Sequence, residues 1–529
     1  MPELIRGDLV GNGTVDILSV MRMINHIIGK NNGVDSHGNP WIRSDYEDYI
    51  GNIANTETIS TVGISRMVNH IINKNDGKDE NGESWIKPAQ NVLYLVPGNK
   101  YNIPMQELRD FRRSQGYSIV TKTLSEDDSS SVNNIQNYIN TIHTDITLKY
   151  VLIFGEIAEV PSYMLFRYEG TPDINNTNTQ TAASDISYGL NSRIHDGGID
   201  TIEIIVGRLS PGDRDNLRLS IDPTAEQEVQ NVQNQVDKII QYENLIDSVK
   251  LGTQDTAKYS LDGEWIRKIV GIASAEGSAA DGLDEKGIDD LADNDFIRGE
   301  IRKLYNLDKG LSYAELYDNR ARVYDPFTDR VINVFAPCQT PLIATIEEDS
   351  TVENDIEDNN PGTGLGEVVS LTDKLEKGFP LMLYAGHANE VLMATTEFSV
   401  AYYQHGPGMP EVDPGKYFLA CFVGCSIGSH DEPYTSLAEQ FQIEKNKGSI
   451  AIFGSSVLQS WQAPQHMMRK LVNDLAGYIT NQETKTIGEM FKSAVDIPEF
   501  KVLGDFYFYH IFGDPVTRYN MTVPEMYVN

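Results

Sequence analysis

Two stretches, Leu381-Met-Leu-Tyr-Ala-Gly-His387 and Tyr417-Phe-Leu-Ala-Cys421-Phe-Val-Gly-Cys-Ser426, decide the fold class of this chain. Each begins with a short apolar run that predicts a buried strand, and these strands are expected to end at Ala385 and Cys421. In a parallel α/β sheet, functional side chains gather at the carboxyl ends of strands, so His387 and Cys421 are expected on neighbouring strand ends. Because an imidazole can take the proton of a thiol, the pair predicts a cysteine nucleophile with a histidine base.

Strand and helix patterns alternate around these two stretches from about residue 90 onward. Further predicted strands are Asn91–Pro97, Tyr150–Phe154, Ile202–Val206, Ile269–Ala273 and Ser449–Phe453, and predicted helices include Glu226–Tyr242 and Ser436–Glu444. The alternation indicates an α/β fold with a mostly parallel sheet flanked by helices. Three histidines outside these stretches, His405, His430 and His466, follow no clear strand within a Gly-His motif, and most of them are expected to be loop or surface residues rather than ligands.

The first 89 residues contain an internal repeat. The run Arg22-Met-Ile-Asn-His-Ile-Ile-Gly-Lys-Asn-Asn-Gly33 recurs 44 residues later as Arg66-Met-Val-Asn-His-Ile-Ile-Asn-Lys-Asn-Asp-Gly77. Such self-similarity predicts two copies of one small helical unit. An apolar stripe of Met23, Ile24, Ile27 and Ile28, with its repeat, could hold the two helices together without a metal.

The loop before the first helix resembles a dockerin or EF-hand calcium loop. Its candidate ligands are Asp8, Asn12, Thr14 and Asp16, although Val10 stands at a position that usually ligates. The second copy has no carboxylate, so no metal is expected there. A structural Ca2+ in the first loop is the metal hypothesis, and a helical pair without metal is the alternative.

Composition excludes several classes of protein. A net charge of −34 would repel phosphate backbones, which argues against a nucleic-acid partner. The chain has no apolar run long enough for a membrane span, and its N-terminus lacks the apolar core of a signal peptide. Three cysteines in 529 residues do not form a disulfide framework.

The sequence resembles the gingipain family of cysteine peptidases from about residue 90 to residue 520. The resemblance lies in short motifs that occur in the family's order: Tyr150–Glu156 with Val160-Pro161, Ser184–Gly189, Ile205–Arg208, Gly271–Gly277, Gly386-His387-Ala388, Ala420-Cys421-Phe-Val-Gly424, Leu458–Trp461 and Phe512–Pro515. It implies a caspase-like fold and an endopeptidase that cleaves peptide bonds through a Cys-His dyad. The implied organisation is a dockerin-like repeat domain (1–89), an N-terminal α/β subdomain (90–265) and a catalytic α/β subdomain (266–529).

The resemblance also implies roles for individual residues. His387 corresponds to the catalytic base, Cys421 to the nucleophile and Glu276 to an acid that orients the histidine. Backbone N–H groups at Cys421 and Ala388 would form the oxyanion hole. The substrate pocket would contain Gln459, Trp461 and Asp290, or its neighbour Asp289, which favours a basic P1 residue. A second, partly kept calcium loop would use Asp196, Asp200 and Glu203.

Several departures from the family leave alternatives open. The family has glycine where this chain has Ala388, which raises the alternative of an inactive, peptidase-like binding module. Cys425 replaces an acidic or polar residue and could itself be the nucleophile. An insertion at about 318–366 would be a lid, an autocleavage loop or a surface insertion. Residues 1–89 would be a docking module for a protein partner or a removable pro-segment. The resemblance suggests an extracellular or particle-associated location.

Overall fold

Apolar runs rich in β-branched and aromatic residues form the strands of the protein, as the sequence predicts. The structure, a computed structural model, describes residues 7, 9, 15–36, 39–42, 59, 61–78, 90–129, 131–168, 179–190, 200–212, 224–251, 265–274, 293–307, 312–318, 322–325, 330–333, 343–345, 375–393, 398–399, 410–432, 435–460, 462–481, 483–501 and 504–521. Two compact units divide the chain, Met1–Pro161 with Glu203–Val206, and Ser162–Ile202 with Gly207–Asn529. Within the ranges given, no helix is long and apolar enough to cross a membrane.

The first unit contains two short helices followed by three parallel strands with their helices. In chain order the elements are α1 (Ile17–Ile27), α2 (Thr61–Ile71), β1 (Gln90–Pro97), α3 (Asn102–Ser114), β2 (Tyr117–Leu124), α4 (Glu126–Ser129), α5 (Val132–Ile146) and β3 (Tyr150–Phe154). Strand β1 lies between β2 and β3 and is parallel to both. All of its residues from Val92 to Val96 are buried, as expected for a parallel strand that is covered on both faces.

The two copies of the repeat adopt the same local structure. Met23 in α1 and its counterpart Met67 in α2 are both fully buried. The turns after the helices also match, since Asn31 and Asn75 both have left-handed backbone conformations with φ of 53° and 52°. Asparagine tolerates this conformation better than most residues, which explains its recurrence in the repeat.

The apolar stripe of the repeat helices is buried at its two methionines and partly exposed at its other members. Ile24, Ile27 and Ile28 are 40%, 36% and 66% exposed, and the equivalent Val68, Ile71 and Ile72 are 37%, 39% and 63% exposed. Of these six side chains, Ile28 and Ile72 are more than half exposed, and the alternative of a helical pair held by this stripe stays a prediction. Met23 and Met67 are the members of the stripe that are buried.

The second unit is built on a larger, mostly parallel sheet. Its strands are β4 (Tyr163–Tyr168), β5 (Thr179–Ser184), β6 (Ile205–Leu209), β7 (Lys268–Ala273), β8 (Ser312–Asp318), β9 (Arg322–Asp325), β10 (Arg330–Asn333), β11 (Ile343–Thr345), β12 (Leu381–Ala385), β13 (Ala388–Asn389), β14 (Leu392–Met393), β15 (Phe398–Ser399), β16 (Phe418–Val423), β17 (Ser449–Ser455), β18 (Lys485–Thr486), β19 (Tyr509–Phe512) and β20 (Arg518–Tyr519). The first two residues of β6, Ile205 and Val206, are counted with the first unit. Its helices are α6 (Ala225–Leu251), α7 (Asp293–Leu307), α8 (Leu437–Ile443), α9 (Gln462–Asn481), α10 (Ile487–Val495) and α11 (Pro498–Lys501).

The sheet of the second unit has the order β11-β8-β7-β12-β16-β17-β19-β6. Neighbouring strands are parallel except for β11 with β8 and β17 with β19. This arrangement agrees with the α/β fold expected from the sequence. Three strands, β9, β10 and β11, fall inside the predicted insertion at about 318–366, and β9 pairs with β10 as an antiparallel hairpin.

The two faces of the central strands pack against different helices. Even-numbered residues of β12 and β16, including Tyr384 and Phe422, join a buried apolar cluster with Phe441 of α8. Odd-numbered Cys421 faces the other side, where its sulfur lies 4.0 Å from the sulfur of Met467 in α9. The alternation follows from the two-residue period of a strand.

Candidate active site

Four adjacent parallel strands, β7, β12, β16 and β17, end at the same edge of the sheet. The register pairs Ala273 with Ala385 and Ala385 with Val423. The residues that follow these strands therefore meet at one place, which is where ligands bind in α/β sheets. His387 follows β12, Cys425 follows β16 and Gln459 follows β17.

His387 is held by hydrogen bonds of its neighbours in the turn after β12. The Gly386 N–H donates to the carbonyl of Val423 at 3.0 Å, which extends the ladder one residue beyond the strand. The buried Tyr384 hydroxyl donates to the carbonyl of His387 itself. On the other side of β12, the Ser274 N–H donates to the carbonyl of Ala385 at 3.0 Å. These bonds fix the backbone that presents the partly exposed imidazole.

Cys421 lies inside β16 and not at its end. The strand continues two residues past the predicted boundary, to Val423, and Cys421 pairs with Leu383 on one side and Phe453 on the other. His387 is four residues beyond Leu383, so the two catalytic candidates are separated by about 13 Å along the strand direction. The structure therefore does not bring Cys421 to His387.

The environment of Cys421 also disfavours a thiolate. The side chain is fully buried, and its contact is the thioether of Met467. Burial raises the pKa of the Cys421 thiol well above its ordinary value. Since the thiolate is the nucleophilic form, this position suits a small apolar core residue.

Cys425 occupies the strand-end position that the sequence analysis had assigned to Cys421. Continuing the register of β12 and β16 by two residues beyond Ala385 and Val423 pairs His387 with Cys425. Residues paired across neighbouring strands lie about 4.8 Å apart in the hydrogen-bonding direction. The Cys425 thiol is half-buried, and the Gln459 N–H donates to its sulfur at 3.4 Å. A donor of this kind favours the anionic form of a thiol.

Gly424 makes the close approach of the two strand ends possible. A Cβ atom built on Gly424 would lie 3.0 Å from the Cβ of Ala388 and 3.3 Å from the carbonyl oxygen of Gly386. The residue just before Cys425 is thus in contact with both neighbours of His387. This close approach agrees with the extended register that pairs His387 with Cys425.

Ala388 adopts a conformation that alanine accepts without strain. It begins the short strand β13, which pairs with β14 in an antiparallel manner. Its methyl group packs onto the apolar cluster that contains Tyr384 and Phe422. The extra carbon relative to glycine therefore contacts the protein core.

Buried polar groups fix the segment that follows β17, where Gln459 lies. Asp505 is fully buried, and its carboxylate accepts hydrogen bonds from the N–H and hydroxyl groups of Ser460. The Tyr509 hydroxyl donates to the carbonyl of Phe422 at 2.7 Å. Asp505 and Tyr509 were not singled out in the sequence, because their partners are distant in the chain.

Several predicted site residues lie outside the described residues: Glu276, Asp289, Asp290, Trp461, Asp8, Asn12, Thr14, Asp196 and His405. Among the predicted calcium ligands, Asp16 caps α1 by accepting the Ser19 N–H at 2.9 Å. The Asp200 carboxylate accepts a hydrogen bond from the Tyr507 hydroxyl, and Glu203 is exposed. His430 lies in a turn, as a loop residue would, and it is 1% exposed.

Comparison with known proteins agrees with this architecture. The family model described as "Peptidase family C25" matches residues 86–520. Gingipain R2 from Porphyromonas gingivalis is 22% identical over 442 residues, which are 82% of this chain and 46% of the relative. Gingipain R1 from the same species is 21% identical over 442 residues and 34% of its length. The chain therefore spans less than half of these curated relatives.

Solved structures of gingipains have the same fold. The crystal structure of the Arg-specific cysteine proteinase gingipain R superimposes with a TM-score of 0.55 at 18% identity, covering 83% of this chain and 79% of the other. A complex of gingipain pro- and mature domains from Porphyromonas gingivalis has a TM-score of 0.53 at 18% identity, covering 82% and 80%.

Proposed function

The chain belongs to peptidase family C25, a family of cysteine-type peptidases, and on that premise we propose that it is a cysteine endopeptidase whose dyad is His387 and Cys425. The hydrolase class follows from the family. The pairing of the residues that follow β12 and β16 is the observation that carries the choice of dyad. Cys421, the nucleophile inferred from the Ala-Cys-x-x-Gly pattern, becomes a core residue in this proposal.

The geometry suggests an acyl-transfer mechanism. His387 takes the proton of the Cys425 thiol, and the thiolate attacks the carbonyl carbon of the scissile peptide bond. The tetrahedral oxyanion would be stabilised by the N–H groups of Ala388 and Cys425, since the Ser426 N–H already donates to Val457 at 2.9 Å. His387 then protonates the leaving amine, and water hydrolyses the thioester. Glu276 remains the proposed group that orients His387.

An active-site label tests the dyad. We expect an acyloxymethyl ketone with arginine or lysine at P1 to modify the wild-type protein and the Cys421→Ala variant. Modification should be lost in Cys425→Ala and strongly reduced in His387→Ala. Labelling that is lost in Cys421→Ala and kept in Cys425→Ala would refute the choice of Cys425 as the nucleophile. Absence of labelling in the folded wild type, with and without calcium, would favour the alternative of an inactive binding module.

A basic P1 residue is the proposed specificity. Its supports are the net charge of −34, the family position of Asp290 and the arginine specificity of the structural relative gingipain R. Fluorogenic peptides that differ only at P1, with arginine, lysine, glutamine or alanine, would measure it through kcat/KM. Asp290→Asn should reduce cleavage after arginine more than Asp289→Asn does, and the reverse order would move the assignment to Asp289.

For residues 1–89 we propose a docking role for a protein partner. The supporting observation is that equivalent apolar side chains of both repeats are exposed to nearly the same extent, such as Ile28 with Ile72 and Leu18 with Val62. The alternative is a removable pro-segment, which would produce a cut near residues 85–95. Intact mass spectrometry of the purified protein before and after incubation separates these roles.

A structural calcium ion in the loop of the first repeat remains part of this proposal. Asp16 would contribute a carboxylate, and Asp8, Asn12 and Thr14 would complete the oxygen ligands that Ca2+ prefers. A rise in the melting temperature with CaCl2, lost in Asp8→Ala, would support it. The extracellular or particle-associated location likewise remains a prediction from the family.

A further inference from the structure

Five buried side chains form a polar cluster in the second unit, named here the Asp185 cluster. Its members come from separate parts of the chain and are at most 4% exposed: Ser162, Asp185, Arg208, His430 and His510. The Arg208 guanidinium donates to both carboxylate oxygens of Asp185, at 2.7 and 2.8 Å. It also donates to the Ser162 hydroxyl at 3.0 Å, and that hydroxyl donates to Asp185.

The residue types of the Asp185 cluster suggest a metal site or a Ser-His-Asp triad, but its geometry fits neither. Asp185, His430 and His510 lie close enough to share a metal ion, but Arg208 already occupies both carboxylate oxygens with a fixed positive charge. A Ser-His-Asp triad needs the acid and the hydroxyl on opposite ring nitrogens. Here Ser162 and Asp185 both approach Nε2 of His430, at 3.3 and 3.6 Å.

His430 connects this cluster to the segment that carries Cys425. Its other ring nitrogen, Nδ1, lies 3.1 Å from the carbonyl of Gly428, and the ring packs edge-on against His510 with centroids 4.8 Å apart. His430 lies only five positions after Cys425 in the sequence. One edge of the imidazole thus contacts the nucleophile segment, and the other edge contacts the Ser162 hydroxyl, which is itself hydrogen-bonded to the buried Asp185–Arg208 pair.

The segment Cys425–His430 needs such support because it is neither strand nor helix. Ser426, directly after the proposed nucleophile, has a left-handed backbone with φ of 53°, which is unfavourable for serine. Backbone bonds from Ser426 to Val457 and from Gly428 to Ser455 hold the first half of the segment against the end of β17. The second half is held by the Ser429 hydroxyl, which donates to the carbonyl of Ser456 at 2.9 Å, and by the side chain of His430.

We propose that His430 is a positioning residue for the reaction, holding Cys425 at the end of β16 by linking its segment to the buried Asp185–Arg208 pair. The proposal rests on the assignment of Cys425 as the nucleophile. A sulfur that must lie within hydrogen-bond reach of His387 is sensitive to displacements of a fraction of an ångström. The ion pair offers a rigid anchor because both of its charges are buried and hydrogen-bonded.

The test compares two substitutions of His430 with a control histidine. His430→Phe keeps a ring against His510 but removes both nitrogens, whereas His430→Gln keeps an amide that can reach Ser162. His143→Phe, at a half-buried histidine of α5 in the first unit, is the control. For each variant, kcat and KM would be measured on a basic-P1 peptide, and alkylation of Cys425 by iodoacetamide would be followed by peptide mass spectrometry.

We expect His430→Phe to lower kcat about tenfold and to slow alkylation of Cys425, with KM within about twofold of the wild type. His430→Gln should recover part of the loss, and His143→Phe should behave as wild type. If the kcat and the rate of Cys425 alkylation, each measured per folded molecule, are the same in His430→Phe as in the wild type, the proposal is overturned, even if the melting temperature falls.

A second variant covers the case in which His430→Phe does not fold. Ser162→Ala removes only the hydroxyl beside Nε2 and should lower kcat about threefold without changing KM. Wild-type kcat in Ser162→Ala together with wild-type kcat in His430→Gln would overturn the proposal. Absence of both activity and Cys425 alkylation in the wild type would instead refute the proposed nucleophile.

Discussion

Replacing Gly424 by alanine would place a methyl group between the two strand ends that carry His387 and Cys425. The new Cβ would lie 3.0 Å from the Cβ of Ala388, 3.1 Å from a ring carbon of Tyr384 and 3.3 Å from the carbonyl oxygen of Gly386. Ordinary carbon contacts are about 3.5–4.0 Å, so the strand ends must separate by about half an ångström. Insertion of a methyl group into a packed site of this kind costs about 1–3 kcal/mol.

The same displacement would act on catalysis, because it separates the thiol from the imidazole. Since an error of 1 Å can cost about a hundredfold in rate, a shift of half that size predicts a fall in kcat of about tenfold. Thermal unfolding followed by circular dichroism would measure stability, and peptide hydrolysis would measure kcat and KM. KM should change less than kcat, because the substrate pocket segment after β17 is not displaced.

A second substitution and a control make the reasoning refutable. The double variant Gly424→Ala/Ala388→Gly lacks the nearest clashing carbon, the Cβ of Ala388. Part of the lost stability and of the lost kcat should therefore be recovered, and the size of this recovery measures the coupling between the two sites. Gly477→Ala, inside α9 where a Cβ would meet no heavy atom within 4 Å, should stabilise the protein by about 0.5–1 kcal/mol. Wild-type kcat in Gly424→Ala, or no recovery in the double variant, would contradict the contact between these strand ends.

Three further predictions concern stability and backbone conformation. Burial lowers the pKa of Lys238 to about 7, so between about pH 7 and pH 10.4 the unfolded chain binds more protons there and stability should rise with pH. In Lys238→Met the free energy of unfolding should rise less steeply with pH across this window, by up to about 1.4 kcal/mol per pH unit, which denaturant unfolding would measure. The same slope in the variant and the wild type would contradict the lowered pKa of Lys238. Ser426→Gly relieves a left-handed φ of 53° and removes a buried hydroxyl that has no partner among the described residues, so it should stabilise the protein by about 1 kcal/mol; a lower melting temperature would argue against strain at this residue. Asp16→Ala removes the N-cap of α1 and should destabilise that helix by about 1 kcal/mol. Hydrogen exchange should then be faster in residues 17–27, and α2 serves as the internal reference.

Local sequence patterns were sufficient to predict most strands of the sheet. The predicted strand Tyr150–Phe154 has the observed bounds, while the predicted Ile202–Val206 is observed at Ile205–Leu209, where Arg208 lies inside the strand and contributes to the Asp185 cluster. Apolar runs identify a buried strand because both faces of a parallel strand are covered. They do not identify where pairing with the neighbours stops, since that depends on residues far away in the chain. The error in the end of β16 has this origin.

The sequence by itself determined the family, the α/β class and the repeat, and it singled out His387 as the candidate base, because each depends on residues that are close together in the chain. Tertiary structure decided which cysteine lies beside His387. That choice depends on the register between β12 and β16, a property of two strands whose pairing no local pattern encodes. It also decided that Ile28 and Ile72 are exposed and that His430 is buried against Asp185 and Arg208. Burial is set by what packs on a residue from distant parts of the chain, so it appears only when those parts are brought together.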